Sequence, residues 1–170
     1  MPSKDRANDD GFSDAGAQRS CFDLRVGGLL RARTGCRAGG REHPPPADGG
    51  HTPFTLLPPE EGKVGLLATP EPRFCNLTNT IHGGWIMTML DTVMALAAQT
   101  TLSPGETCPS HETTAKFVRP IFVDSGEMRV IGHVVSRGRT VITLEGRIED
   151  AQGRLHAHGT STCLVVSRKP

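Results

Sequence analysis

The pattern of apolar and polar positions changes period twice along the chain. From residue 112 onward it alternates with a period of two, and four strands follow from it: Glu112–Arg119, Glu127–Ser136, Arg139–Asp150 and Arg154–Val166. Asp124-Ser125-Gly126, Arg137-Gly138 and Ala151-Gln152-Gly153 punctuate them, and such short turns between consecutive strands predict an antiparallel meander. Two shorter strands, Phe54–Leu57 and Lys63–Ala68, flank the turn Pro58-Pro59-Glu60-Glu61-Gly62. Between these regions lies His82–Gln99, rich in Met, Leu and Ala, without Pro and without Gly after Gly84. It reads as a helix of roughly 15 residues, closed by Ser103-Pro104-Gly105. Its apolar residues fall on nearly every side, which marks a buried helix. In Arg139–Asp150, Ile142, Leu144 and Ile148 share one face while Thr143, Glu145 and Arg147 share the other. One face of the sheet is therefore wet, and the single apolar helix must cover the other. The expectation is an α+β fold: a curled antiparallel sheet wrapped around one long buried helix.

The first part of the chain does not share this patterning. Residues 1–50 contain nine Gly and four Pro but only seven of Ile, Leu, Val, Met, Phe and Trp; residues 53–170 contain 36 of that set in 118 positions. The first segment cannot bury enough apolar surface to offset the entropy of ordering it. We expect residues 1–52 to be a disordered extension and 53–170 the working domain. Five arginines from Arg25 to Arg41 invite a nucleic-acid arm or an organellar transit peptide; Asp5, Asp9, Asp10 and Asp14 speak against the transit reading, and a disordered tail is the simpler expectation.

Charge narrows the partners. The net charge is +1, and aromatic residues make up 4% with no Tyr, so neither a basic surface nor a stacking platform for nucleic acid is expected. No run approaches the ~18 apolar residues of a membrane span. The five cysteines are odd in number and form no C-x-x-C pair, which fits a reducing cytoplasm.

Candidate chemistry concentrates on the helix. Its polar residues Thr88, Asp91, Thr92 and Gln99 fall on one stripe. A carboxylate in such a helix must be paired, protonated or open to a cleft; a bond to loop backbone or to an arginine would satisfy Asp91 equally well. Before it, His82-Gly83-Gly84 opens the helix, where free backbone N–H groups and the helix dipole favour negative charge. Such donors can stabilise an oxyanion, and glycines let a carbonyl approach; they also suit a tight loop-to-helix turn.

These residues resemble those of the hotdog-fold acyl-CoA thioesterases, in particular the phenylacetic-acid-degradation (PaaI-like) subfamily. The resemblance rests on Asn76, His82-Gly83-Gly84 and Asp91 in that spacing, then Phe117-Val118-Arg119-Pro120 and Arg137-Gly138-Arg139, and it covers about residues 53–168. It implies that the Gly83 N–H polarises the thioester carbonyl and that Asp91 is the general base for water, or a nucleophile. Asn76 would place the water or carbonyl, and His82 would orient the loop. Ser110 would be the water-orienting hydroxyl, with Thr113 in its place if the preceding loop shifts the alignment. Gly84 would allow close approach of the substrate, and Trp85 with Met87, Met89 and Met94 could line an acyl pocket or simply the core. Arg137 and Arg139 would bind the coenzyme A phosphates, although a solvated hairpin turn explains them as well. Coenzyme A enters only as part of the substrate, with no separate cofactor and no metal. The family further implies a homodimer, with Asp and Gly supplied to each site by different protomers, and tetramers.

Other signals weigh less. His156 and His158, two apart on a strand, could share a metal but lack a third ligand; solvent-facing histidines are the simpler expectation. Cys75 adjoins Asn76 without a His–Cys arrangement. Two other functions stay open: a non-catalytic acyl-CoA sensor or scaffold, and a hotdog-fold hydratase or dehydratase, for which no separate catalytic His is evident.

Overall fold

The computed structural model describes residues 54–167 and, upstream, two short paired strands, β1 (Arg37–Ala38) and β2 (Arg41–Glu42). The expectation of a disordered extension over 1–52 lies otherwise outside the described residues. The domain continues with β3 (Phe54–Leu56), β4 (Lys63–Ala68), α1 (Gly83–Gln99), β5 (Glu106–Thr107), β6 (Ser110–Phe117), β7 (Met128–Arg137), β8 (Val141–Glu149), β9 (Leu155–Leu164) and β10 (Val166–Ser167). Six strands form one antiparallel sheet in the order β3-β4-β7-β8-β9-β6, and β5 pairs with β10 in a small second ladder. Helix and sheet agree with the α+β expectation.

The meander holds for β7, β8 and β9 but not for β6, which crosses over to lie beyond β9. The reason is local. After Phe117, the backbone N–H groups of Val118 and Arg119 both donate to His156 C=O, at 2.8 and 3.0 Å. That grip turns the chain across the start of the helix, where Ile121 C=O accepts from Ile81 N–H at 2.8 Å, before β7 begins. The predicted 112–119 strand accordingly starts earlier and ends at Phe117.

The helix lies against one face of the sheet, packed on β4, β6, β7, β8 and β9. Along β8, Ile142, Leu144 and Ile148 are buried and their neighbours half-buried or exposed, as the alternation requires. A stripe of glycines sets the distance. Gly132, Gly146 and Gly159 are paired in register across β7, β8 and β9. A Cβ on Gly132 would stand 2.7 Å from Val93 C=O, so helix backbone rests directly on the sheet with no side chain between. Trp85, Ile86, Met89, Leu90, Val93 and Met94 fill the space around that contact. Burying such side chains stabilises by about 1.5–3 kcal/mol each. Among the described residues no helix is long and apolar enough to cross a membrane.

Candidate active site

The helix starts on an ordered loop. His82 is its N-cap, extended at φ −62° and ψ 137°, and its Nδ1 accepts from Gly84 N–H at 3.0 Å. Gly83 is the first helical residue. Its N–H is therefore one of the donors that no helical carbonyl satisfies. The Phe117 ring packs on this residue; a Cβ there would meet its Cζ at 3.1 Å. Asn76 organises the loop before the helix: Oδ1 accepts from Thr78 N–H, the Thr78 hydroxyl and Thr80 N–H, and Nδ2 donates to Thr80 Oγ1. The structure thus places the Asn76 amide among its own loop residues, not beside Asp91.

Two turns into the helix, the sheet leaves one stripe of α1 uncovered. Thr88, Asp91, Thr92, Ala95 and Gln99 are half-buried or exposed there, whereas the other faces are buried. Among the described residues, Asp91 is neither capped by a loop nor paired with an arginine. Its Oδ1 accepts from the Thr113 hydroxyl at 2.9 Å, and Thr113 Oγ1 lies 3.0 Å from Ser161 Oγ. Ser161 in turn donates to Glu112 C=O at 2.9 Å. Ser161 carried no motif, although its place among the inward positions Ala157, Gly159 and Cys163 of β9 marks a buried hydroxyl.

The structure brings Thr113, not Ser110, to Asp91. A bulge at His111 shifts the β6–β9 register, so Ser110 faces Cys163 and Thr113 faces Ser161. The neighbouring Cys108 thiol holds the Cys163 thiol below its ordinary value, against the opposing effect of burial.

A cavity of about 340 Å³ opens beside the helix start, lined by Arg73, Phe74, Cys75, His82, Trp85 and Thr88. Trp85 is tilted against Phe74 with ring centroids 6.1 Å apart. Met89 and Met94 are fully buried in the core instead. Arg137 is committed elsewhere: its guanidinium pairs with Glu106 at 3.1 Å and donates to Gly138 C=O. Arg139 is exposed in the same turn.

The expectation that His156 and His158 both face solvent is corrected. His156 is the extra residue of a bulge against β8, which turns its ring inward. It is buried between Asp150 and Pro120, with Nε2 3.2 Å from Asp150 Oδ2 and Nδ1 3.1 Å from Pro120 C=O. Burial alone would raise the Asp150 carboxyl. The Arg154 N–H, the His156 ring, the Arg154 guanidinium and the Gln152 N–H together hold it well below the usual carboxylate range. No group of three or more potential metal ligands occurs among the described residues.

A model of the thioesterase superfamily matches residues 78–157, a span that runs from the helix-start loop to β9. A candidate esterase of Saccharolobus solfataricus is 27% identical over 110 residues, which cover 65% of this chain and 76% of that protein. A candidate thioesterase of Ralstonia eutropha JMP134, related to phenylacetic acid degradation, superposes with a TM-score of 0.60 at 26% identity. The superposition covers 65% of this chain and 83% of that one. The protein smu.793 of Streptococcus mutans UA159, solved bound to acetyl CoA, shares the fold with a TM-score of 0.63 at 20% identity. It covers 69% of this chain and 92% of its own.

Proposed function

Because the chain belongs to the thioesterase superfamily and carries its hotdog fold, we propose that it hydrolyses acyl-CoA thioesters to free acid and coenzyme A at sites shared by two copies. One observation carries this reading. Asp91 is oriented by a hydroxyl on the uncovered stripe of a helix whose first residue, Gly83, offers a free N–H. These two groups are eight residues apart, about 12 Å along the axis. A base must lie about 3 Å from the water it activates, and the oxyanion donor about 3 Å from the oxygen of the carbonyl that water attacks, so base and donor stand roughly 6–8 Å apart. Within one copy the separation is too large. The uncovered stripe and the edge position of β6 suit a second copy that brings its own helix start to Asp91.

In the proposed reaction, the Thr113 hydroxyl fixes Oδ1 of Asp91 and leaves Oδ2 to take a proton from water. The hydroxide equivalent adds to the thioester carbonyl, the negative oxygen forms against the partner copy's helix start, and collapse expels the coenzyme A thiolate. No metal or further cofactor is required, since a thiolate leaves readily. Exposed Arg139 is free to meet the coenzyme A phosphates, while Arg137 serves the turn through Glu106. The free thiols Cys75, Cys108 and Cys163 fit a reducing, cytoplasmic setting.

The test is thiol release from a panel of acyl-CoAs by wild type and Asp91→Asn. Release by wild type and a kcat at least about 100-fold lower in a folded Asp91→Asn support general-base catalysis. No release from any substrate, with binding retained, would leave an acyl-CoA-binding protein instead.

A further inference from the structure

Outside the Asp91 cluster, the most completely bonded polar group in the domain is the buried pair His156 and Asp150, and the reaction as described makes no use of it. Both ring nitrogens of His156 face acceptors: the Pro120 carbonyl, which cannot donate, and an Asp150 carboxylate already holding N–H bonds from Gln152 and Arg154. The ring satisfies both contacts only when both nitrogens carry a proton. The charged groups around it are Asp150 and Arg154, and Arg119 is anchored one residue away on Leu155 C=O.

What this residue holds is the path to Gly83. The His156 backbone carbonyl fixes Val118 and Arg119, and its ring fixes Pro120. On one side of that segment stands Phe117, whose ring packs on Gly83. On the other stands Ile121, whose carbonyl holds Ile81 N–H, two residues before Gly83. We propose that His156, doubly protonated between Asp150 and Pro120, is a positioning residue that sets the direction of the Gly83 N–H through the Phe117–Ile121 segment. This role rests on the reading of Gly83 as the oxyanion donor; the tie itself does not.

Three measurements decide it. In wild type, nitrogen NMR of the His156 ring should report protons on both nitrogens; a neutral ring overturns the proposal. In His156→Gln, one of the two ring contacts is lost. The Ile81 amide should then exchange at least about ten-fold faster while amides in the middle of α1, such as Met94, keep their protection. Equal loss throughout the helix would mean a merely structural residue, and no change at Ile81 would mean no tie. The same variant should lower kcat about ten-fold with KM within about two-fold, as expected for a misaligned transition-state donor. An unchanged kcat overturns the positioning role. If wild type hydrolyses no acyl-CoA, the thioesterase reading fails on that result, while the ring nitrogens and Ile81 exchange still accept or reject the tie.

Discussion

The Thr113 hydroxyl donates to Asp91 Oδ1 at 2.9 Å, joining β6 to the middle of α1 across 22 residues of sequence. A hydrogen bond to a charged acceptor contributes roughly 1.5–3 kcal/mol. Here it also selects one carboxylate rotamer and so decides which oxygen meets water. Thr113→Val should lower kcat by about ten-fold or more, equivalent to roughly 1.4 kcal/mol of barrier. Thr113→Ser, which keeps the hydroxyl, should stay within about three-fold of wild type. Thiol-release kinetics check both; equal activity of the Val and Ser variants would remove Thr113 from the reaction. Ser110→Ala, whose hydroxyl faces Cys163, should have the smaller effect on kcat.

Close approach of helix and sheet depends on glycines that no motif marks. A Cβ on Gly132 would lie 2.7 Å from Val93 C=O and 2.9 Å from Met94 N, both backbone atoms that cannot rotate away. On Gly146 it would meet the Met94 side chain at 3.0 Å, and that flexible thioether can move. Gly132→Ala should therefore destabilise by about 3 kcal/mol or more, and Gly146→Ala by about 1 kcal/mol. Urea unfolding of the two variants measures the difference. Equal losses would contradict the backbone contact.

The sequence made the helix, the inward face of β8 and the Gly83–Asp91 spacing legible, because periodicity and helix-terminus chemistry are local. It made the partner of Asp91 only partly legible. A single bulged residue, His111, decides whether Ser110 or Thr113 faces inward, and alternation counts cannot see a bulge. The same limit hid His156. Counted by twos it belongs with His158 on the wet face, and the bulge against β8 turns it into the core. The crossover of β6 depends on backbone bonds to His156 C=O, which no side-chain pattern encodes. Thr113 was reachable as the alternative to Ser110; the Asp150–His156 pair carried no signal in the sequence beyond its residue types.

Asp150 makes stability depend on acid pH with a definite sign. Its carboxyl lies lower in the folded chain than its ordinary value of 3.8, so the unfolded state binds more protons between the two values. Stability therefore rises with pH through that window. The contribution is fully present above the unfolded value and is lost as pH falls through the folded one. Melting temperatures of wild type should drop steeply below about pH 4, and Asp150→Asn should start lower and show a shallower acid slope. A slope unaltered by the substitution would assign the acid loss to other carboxylates.

The sharing of each site between two copies can be separated from every single-chain alternative by mixing two dead variants. His82 is already extended, as a residue before proline must be, and Gly83 is the first helical position, where proline is tolerated. Gly83→Pro should thus delete the N–H while the helix still starts, with the exposed Phe117 ring shifting to admit the pyrrolidine. Alone it should lower kcat by about 100-fold or more, as for other lost oxyanion donors. Asp91→Asn is deficient for the opposite reason. In a mixed dimer one site combines both defects, but the other receives the intact Asp91 of one copy and the intact Gly83 of its partner. An equimolar mixture, unfolded and refolded together, should therefore recover about a quarter of wild-type activity, because half the dimers are mixed and each has one whole site. Activity no greater than the sum of the separate variants, in a mixture shown to contain mixed dimers, would return Asp91 and Gly83 to a single copy. The 12 Å between them would then exclude their acting on one carbonyl.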